Sequence, residues 1–272
     1  SCPLAHPGMC EYALPFSADP SLPVSDSPFP QPASSALRFG LLPAPLRRAP
    51  FKACIFENCS SDIVAGSVSL SKTTATFQQC TFRNNRGHRL FFLHETTIDI
   101  VDCTLATSGP FAILDVNGSS VKVRRSTITA GIRSGGGSIM LDDCTISDSG
   151  EEMPLVLAKG KAQISIQRSR LGPNASSAID AREDSVITIV DSTVQACAAP
   201  VISVLCASLS ATATSITMPV YDGDINPPIR VERQVHATLM DFSANGVSAQ
   251  AVEMMDNVTT LPLIGLLSLT LV

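Results

Sequence analysis

Tryptophan is absent from this chain and tyrosine occurs twice, so the flat aromatic platforms on which bases and sugar rings stack are scarce. Charge is thin too: 16% of the 272 residues are charged, with a net charge of −5. No basic run exceeds Arg47-Arg48 or Arg124-Arg125, which leaves nucleic acid without an electrostatic footprint. The histidines, His6, His88, His94 and His236, are scattered. None stands at ligand spacing from a cysteine or another histidine, so no metal site is expected. Gly135-Gly-Gly137 has no helical pattern after it and so lacks the helix N-terminus that cradles phosphate. No nucleotide or other cofactor is expected.

What the chain does carry is one phrase, repeated. Ile98-Asp-Ile-Val-Asp-Cys-Thr-Leu105, Val121-Lys-Val-Arg-Arg-Ser-Thr-Ile128, Ile139-Met-Leu-Asp-Asp-Cys-Thr-Ile146 and Ile187-Thr-Ile-Val-Asp-Ser-Thr-Val194 are its clearest copies. With the Cys or Ser as anchor, the series runs Cys54, Cys80, Cys103, Ser126, Cys144, Ser169 and Ser192, then weaker copies at Thr214 and Phe242. The steps are 26, 23, 23, 18, 25, 23, 22 and 28 residues. A period in this range marks a solenoid, whose units bury their apolar faces only by stacking.

Within each copy, alternating apolar residues such as Ile98 and Ile100 have the period of a strand. A two-residue break and the anchor triplet then predict a tight bend and a second short strand. A third apolar stretch follows about ten residues later, as at Leu90 to Leu93 or Ala178-Ile179. Three short strands per coil describe an all-β parallel β-helix solenoid, single-stranded, with eight or nine coils of about 23 residues. Proline avoids the strand phrases after residue 50, as a residue without an N–H must. The 18-residue step contains Arg133-Ser-Gly-Gly-Gly-Ser138, where the coil is trimmed, and the 28-residue step holds a loop insertion, Tyr221 to Pro228.

Stacking predicts two ladders. Cys54, Cys80, Cys103, Ser126, Cys144, Ser169 and Ser192 form an inward structural ladder of small residues. The cysteines in it are expected as buried thiols, because strands about 4.8 Å apart hold side chains too far apart for a disulfide. Just before the anchors, Asp102, Arg125, Asp143, Arg168 and Asp191 alternate in sign and form a charge ladder. Such exposed pairs contribute about 0–1 kcal/mol each and act on register more than on stability. Off the anchor row, Cys2 and Cys10 are a candidate bridge, and Cys197 and Cys206 a second.

Three regions follow: an irregular proline-rich arm or cap (1–50) with eleven of the nineteen prolines, a β-helix (51–256), and an apolar tail (257–272). The tail's Leu261 to Val272 run is shorter than the roughly 20 residues a membrane-spanning helix needs. Two readings of the tail stay open: a strand capping the stack, or a glycolipid-anchor signal with its site at Ser243 to Gly246. Asn58, Asn117, Asn174 and Asn257 each head an Asn-x-Ser/Thr triplet in an expected turn, which makes them candidate glycosylation sites. With a start at Ser1 rather than Met, these features point to a secreted or cell-surface protein.

The repeated phrase with its bend resembles the right-handed parallel β-helix of the pectin-lyase-like superfamily, over roughly residues 51–256. The right hand is implied by that resemblance and by the preference of parallel crossovers. Phe82-Arg-Asn-Asn85 and Gly136-Gly-Ser-Ile139 are similar to the Phe-x-x-Asn and Gly-Gly-Ala-Ile/Leu/Val motifs of polymorphic surface adhesins, here once each and with Ser for Ala. The resemblance implies either a non-enzymatic adhesin or spacer contacting glycans or surface proteins, or an enzyme on acidic polysaccharides. A structural subunit of a capsid or wall layer is a third reading. For a lyase or hydrolase, Asp115, Lys159, Asp180 and Arg182 on the third-strand face are the candidates, with calcium as the only cofactor. Hydrolase motifs of this superfamily, Asn-Thr-Asp, Gly-His-Gly and Arg-Ile-Lys, are missing, and the expectation leans away from an enzyme. The sequence specifies no oligomeric state.

Overall fold

The computed structural model describes residues 37–39, 48–57, 60–61, 68–87, 89–107, 112–147, 153–174, 176–195, 200–217, 229–232, 236–240, 243–245, 252–255 and 268–270. Its strands all pair in parallel and form three sheets, which we call A, B and C in the order the chain visits them. One coil reads Phe91–His94 (sheet A), Thr97–Val101 (sheet B) and Thr104–Thr107 (sheet C). The next reads Leu114–Asn117, Ser119–Arg124 and Thr127–Thr129. Sheet A has 10 strands, sheet B has 9 and sheet C has 11, and along each sheet every strand lies beside its equivalent in the next coil.

Alternation in the sequence becomes alternation across the wall of the coil. Ile98 and Ile100 are buried while Thr97 and Asp99 face out. Register is in phase with the repeat: Val121 lies beside Ile98 on one side and Ile139 on the other, and Ile164 beside Ile187. Columns of like residues therefore fill the core, with Phe56, Phe82, Leu105, Ile128, Ile146, Leu171, Val194 and Ile216 inside sheet C. Near the first coils the column is aromatic. Phe51 stacks on Phe77 at 4.7 Å and Phe56 on Phe82 at 4.3 Å.

The bend between sheets B and C explains the anchor. Ala53, Gln79, Asp102, Arg125, Asp143, Arg168, Asp191 and Ala213 all adopt φ of 47–55°. That left-handed conformation costs a non-glycine residue roughly 1–2 kcal/mol. Hydrogen bonds offset it. The Asp102 N–H donates to Arg124 O of the next coil at 3.1 Å, so the ladder continues through the corner. The anchor side chain then does two jobs. Ser126 Oγ donates to Arg124 O at 2.8 Å and accepts from the Cys103 N–H at 3.0 Å. Ser169 Oγ repeats the arrangement with Gln167 O at 2.6 Å and the Cys144 N–H at 3.1 Å. Only a short side chain with a donor and an acceptor fits, which means Cys, Ser or Thr. The ladder is thus built for hydrogen bonding, beyond the small-hydrophobe role expected from the sequence. Cys54, Cys80, Cys103 and Cys144 are buried free thiols, as expected.

A second corner, between sheets A and B, escaped the sequence reading. Lys72, Glu95 and Gly118 carry positive φ there, and Thr73, Thr96 and Ser119 behind them are buried. The Thr96 N–H donates to Ser119 Oγ at 2.9 Å, the same device on the other side of the coil.

The boundaries need correction. Leu37–Phe39 and Arg48–Lys52 pair with Val68–Ser71 and Thr74–Gln78, so the stack begins within the stretch expected to be an irregular arm. Pro50 sits in Arg48–Lys52, the edge strand of sheet B, where no donor is required of it. In the apolar tail, Ser268–Thr270 pairs with Ser243–Asn245. Cys206 is a free thiol and not one half of a bridge. Cys2, Cys10, Cys59 and Cys197 lie outside the described residues.

Candidate functional site

The outer face of sheet A carries the residues proposed for chemistry. In Leu114–Asn117, Leu114 and Val116 point inward, so Asp115 points out; the same alternation turns Asp180 outward in Ile179–Arg182. Both carboxylates are nonetheless sheltered, Asp115 at 8% and Asp180 at 7% exposure. Each is held by an arginine. Arg89 Nε lies 2.7 Å from Asp115 Oδ2, with the guanidinium 5.2 Å from the Phe92 ring centre. Arg182, two residues along the same strand and hence on the same face, donates through Nε to Asp180 Oδ1 at 2.9 Å and through a second nitrogen to Oδ2. That double contact, opposed by desolvation, raises the Arg182 pKa above its ordinary value.

Sheet register places these acids apart. Asp115 lies beside Arg133, Arg133 beside Leu157, and Leu157 beside Asp180. Three strand spacings make about 14 Å, whereas the paired carboxylates of glycosidases work about 5–10 Å apart. Lys159 falls one residue beyond Ala158, which pairs with Ala181, and so neighbours Arg182. Lys159, Asp180 and Arg182 are brought together; Asp115 is not. Sequence reasoning missed Arg89 and Arg133. Arg133 was signalled by register alone, since it occupies the position of Asp115 one coil on.

The charge ladder stands at the left-handed corner positions, all exposed. Arg125 donates to Asp102 through Nε at 2.7 Å and a second nitrogen at 3.0 Å, which holds the Asp102 carboxyl below its ordinary pKa. Arg168 departs from the expected vertical pairing and takes Asp142, the residue before Asp143. Arg124 pairs with Asp99 at 2.7 Å. The ladder is therefore staggered, because long arginine stems reach the next column as easily as their own.

The sequons divide. Asn117 is exposed at the end of its strand. Asn174 is buried at 2% exposure, and its Nδ2 donates to Met153 O at 3.1 Å and Ser177 O at 3.0 Å. The atom a glycan would occupy is already bonded inward, which corrects the expectation for Asn174. Asn58 and Asn257 lie outside the described residues. The adhesin-like Phe82-Arg-Asn-Asn85 is structural here: Phe82 is core and Asn85 Nδ2 donates to Phe56 O at 3.0 Å.

At the A–B corner runs an open groove of about 460 Å³, with Thr97, Ser120, Ser138 and Gln163 on its floor and Glu95 and Lys161 at its ends. It exists because coil side chains vanish at Gly118 and Gly137. A Cβ on Gly137 would lie 2.3 Å from Ser119 O, so the backbones of two coils meet there. Among the described residues no group of three or more His, Cys, Asp or Glu is placed to hold a metal ion, and no helix is long and apolar enough to cross a membrane.

Residues 48–218 match the family described as the right handed beta helix region, more than half of the chain. No curated protein and no solved structure matches the chain. The chain therefore belongs to the right-handed β-helix family, and its fold, a parallel solenoid consistent with the pectin-lyase-like superfamily, suits a structural or carbohydrate-related role.

Proposed function

We propose that this right-handed β-helix is a secreted or surface-displayed rod, acting as a spacer or adhesin that presents its outer rows to glycans or surface proteins rather than as an enzyme. One observation carries the reading: both sheltered carboxylates on sheet A are neutralised by their own arginines and held about three strand spacings apart. An acid whose two oxygens are both engaged by one arginine offers no free oxygen to a substrate, and a lone one cannot be half of an acid–base pair. Among the described residues the hydrogen-bonded corners follow one another from Ala53 to Asp191 without a gap, which supports the same reading, since it gives a stiff scaffold. Retention at the surface, through the apolar tail or otherwise, belongs to this proposal.

The test is turnover. Purified protein is incubated with uronate and neutral polysaccharides, with and without calcium. The rod reading expects no product. Release of unsaturated or reducing ends that disappears in Asp180→Ala or Arg182→Ala would overturn it in favour of a lyase or hydrolase. Surface proteolysis of intact cells tests display separately.

A further inference from the structure

We propose that Cys80 and Cys103, stacked on adjacent coils, form a two-coordinate site for a soft monovalent cation of the copper(I) kind. Cys54, Cys80 and Cys103 are consecutive members of the anchor row, so three thiols follow one another with no hydroxyl between them. All three are buried, in the same core as Phe56, Phe77 and Phe82. Cys80 and Cys103 interact through their side chains, and the Cys80 N–H donates to Cys103 Sγ at 3.3 Å. Cys144 stands apart from the other anchor thiols, between Ser126 and Ser169.

Strand spacing selects the ion. Sulfurs one coil apart inherit a separation near the strand spacing of about 4.8 Å, more than twice the S–S bond of about 2.05 Å. Two metal–sulfur bonds of about 2.3 Å, laid end to end, span about 4.6 Å. A filled-shell ion that takes two ligands in line therefore fits between coils where a disulfide does not. Thiolate sulfur favours soft ions, and copper(I) is one that accepts two ligands. Zinc takes four ligands and calcium six or more, and among the described residues no three His, Cys, Asp or Glu are placed to hold an ion together.

Charge agrees with a monovalent ion. An apolar core tolerates a metal only when the complex is close to neutral. Copper(I) bonds to one sulfur, whose proton leaves to water, and the second sulfur binds through a lone pair as the thiol. One positive charge enters and one leaves, so the core gains none. Cys103 Sγ donates to Val101 O at 3.2 Å and Cys80 Sγ to Gln78 O at 3.4 Å, and the thiol that keeps its proton keeps its bond. The Cys80 N–H, aimed at Cys103 Sγ, stands where an outer donor steadies a metal-bound sulfur. The ion ties together two coils near the start of the stack. This inference is independent of where the rod is displayed.

The experiment titrates the whole reduced chain with copper(I), without oxygen and against a copper(I) chelator, and follows it with X-ray absorption of the loaded protein. Serine already serves as anchor at Ser126, Ser169 and Ser192, so serine variants of the cysteines keep the corner bonds. The parent is expected to hold one ion more tightly than any other, with two sulfur neighbours and about one proton released. Cys80→Ser and Cys103→Ser weaken that site by about a hundredfold or more, and Cys144→Ser leaves it unchanged. Ser126→Cys adds a second such site by joining Cys144, a gain that misfolding does not produce. Cys206 and the cysteines outside the described residues are the same in every variant and cancel in the comparison. Undiminished binding in Cys80→Ser or Cys103→Ser, an equal loss in Cys144→Ser, no added site in Ser126→Cys, or three or more ligands around the ion would each overturn the proposal.

Discussion

The backbone N–H of Cys103 donates to Ser126 Oγ at 3.0 Å, so a hydroxyl from one coil closes the corner of its neighbour 23 residues away. Both groups are buried, and removal of the acceptor strands a donor. Ser126→Ala is expected to cost about 1–3 kcal/mol, and Ser126→Cys less than half as much, because Cys144 fills the same position one coil on. Urea unfolding midpoints decide it; an alanine variant as stable as the parent removes the corner role.

Alkali is expected to loosen the stack. Burial pushes the Cys54 and Cys144 thiols above the ordinary 9.0; the Cys80 thiol is raised first by its hydrogen-bonding contact with Cys103 and then by burial, while that same contact lowers Cys103, so the pair largely offsets and Cys54 and Cys144 carry the effect. A thiol whose folded pKa is raised gives up its proton first in the unfolded chain. Stability is therefore level below pH 9 and declines above it, by at most about 1.4 kcal/mol per pH unit per thiol. Melting temperatures from pH 7 to 10.5 should bend downward near 9, less so in Cys144→Ser. A flat profile contradicts the burial argument.

Neighbouring glycines should behave oppositely. Gly137 has φ of 90° and its Cβ would sit 2.3 Å from Ser119 O, while Gly135 faces open space. Gly137→Ala is expected to lose more than about 2 kcal/mol and Gly135→Ala less than about 0.5 kcal/mol. Equal effects in chemical denaturation would mean the two coils do not touch at that corner.

Expressed through a secretory pathway, the folded protein should carry glycan at Asn117 and none at Asn174, whose amide is spent on Met153 O and Ser177 O. Peptide mass spectrometry reads occupancy directly. A glycan on Asn174 of folded material is incompatible with its burial.

The coil, its three strands and its column of small anchors were legible in the sequence because each depends on spacing, and spacing survives in a single chain. The second corner was not. Lys72, Glu95 and Gly118 share no side-chain type, since what unites them is a backbone angle. The first strands were hidden for a related reason. Pro50 reads as a breaker, yet an edge strand tolerates it. The candidate site was half legible. Asp180 and Arg182 share a face by their spacing of two, but the partner of Asp115 is Arg89, on the loop before the preceding sheet A strand, a distance no periodicity encodes. Arg168 choosing Asp142 over Asp143 lies beyond pattern altogether, because side-chain reach decided it.

Corner residues with left-handed backbone point away from the core, and here they range over alanine, glutamine, aspartate and arginine. Behind each, the hydroxyl or thiol that fastens the turn is confined to a few small types. Framework and decoration are thus written in adjacent letters but answer to different demands. Such a molecule can exchange its outward chemistry, turn by turn, while the thread that holds it wound stays the same.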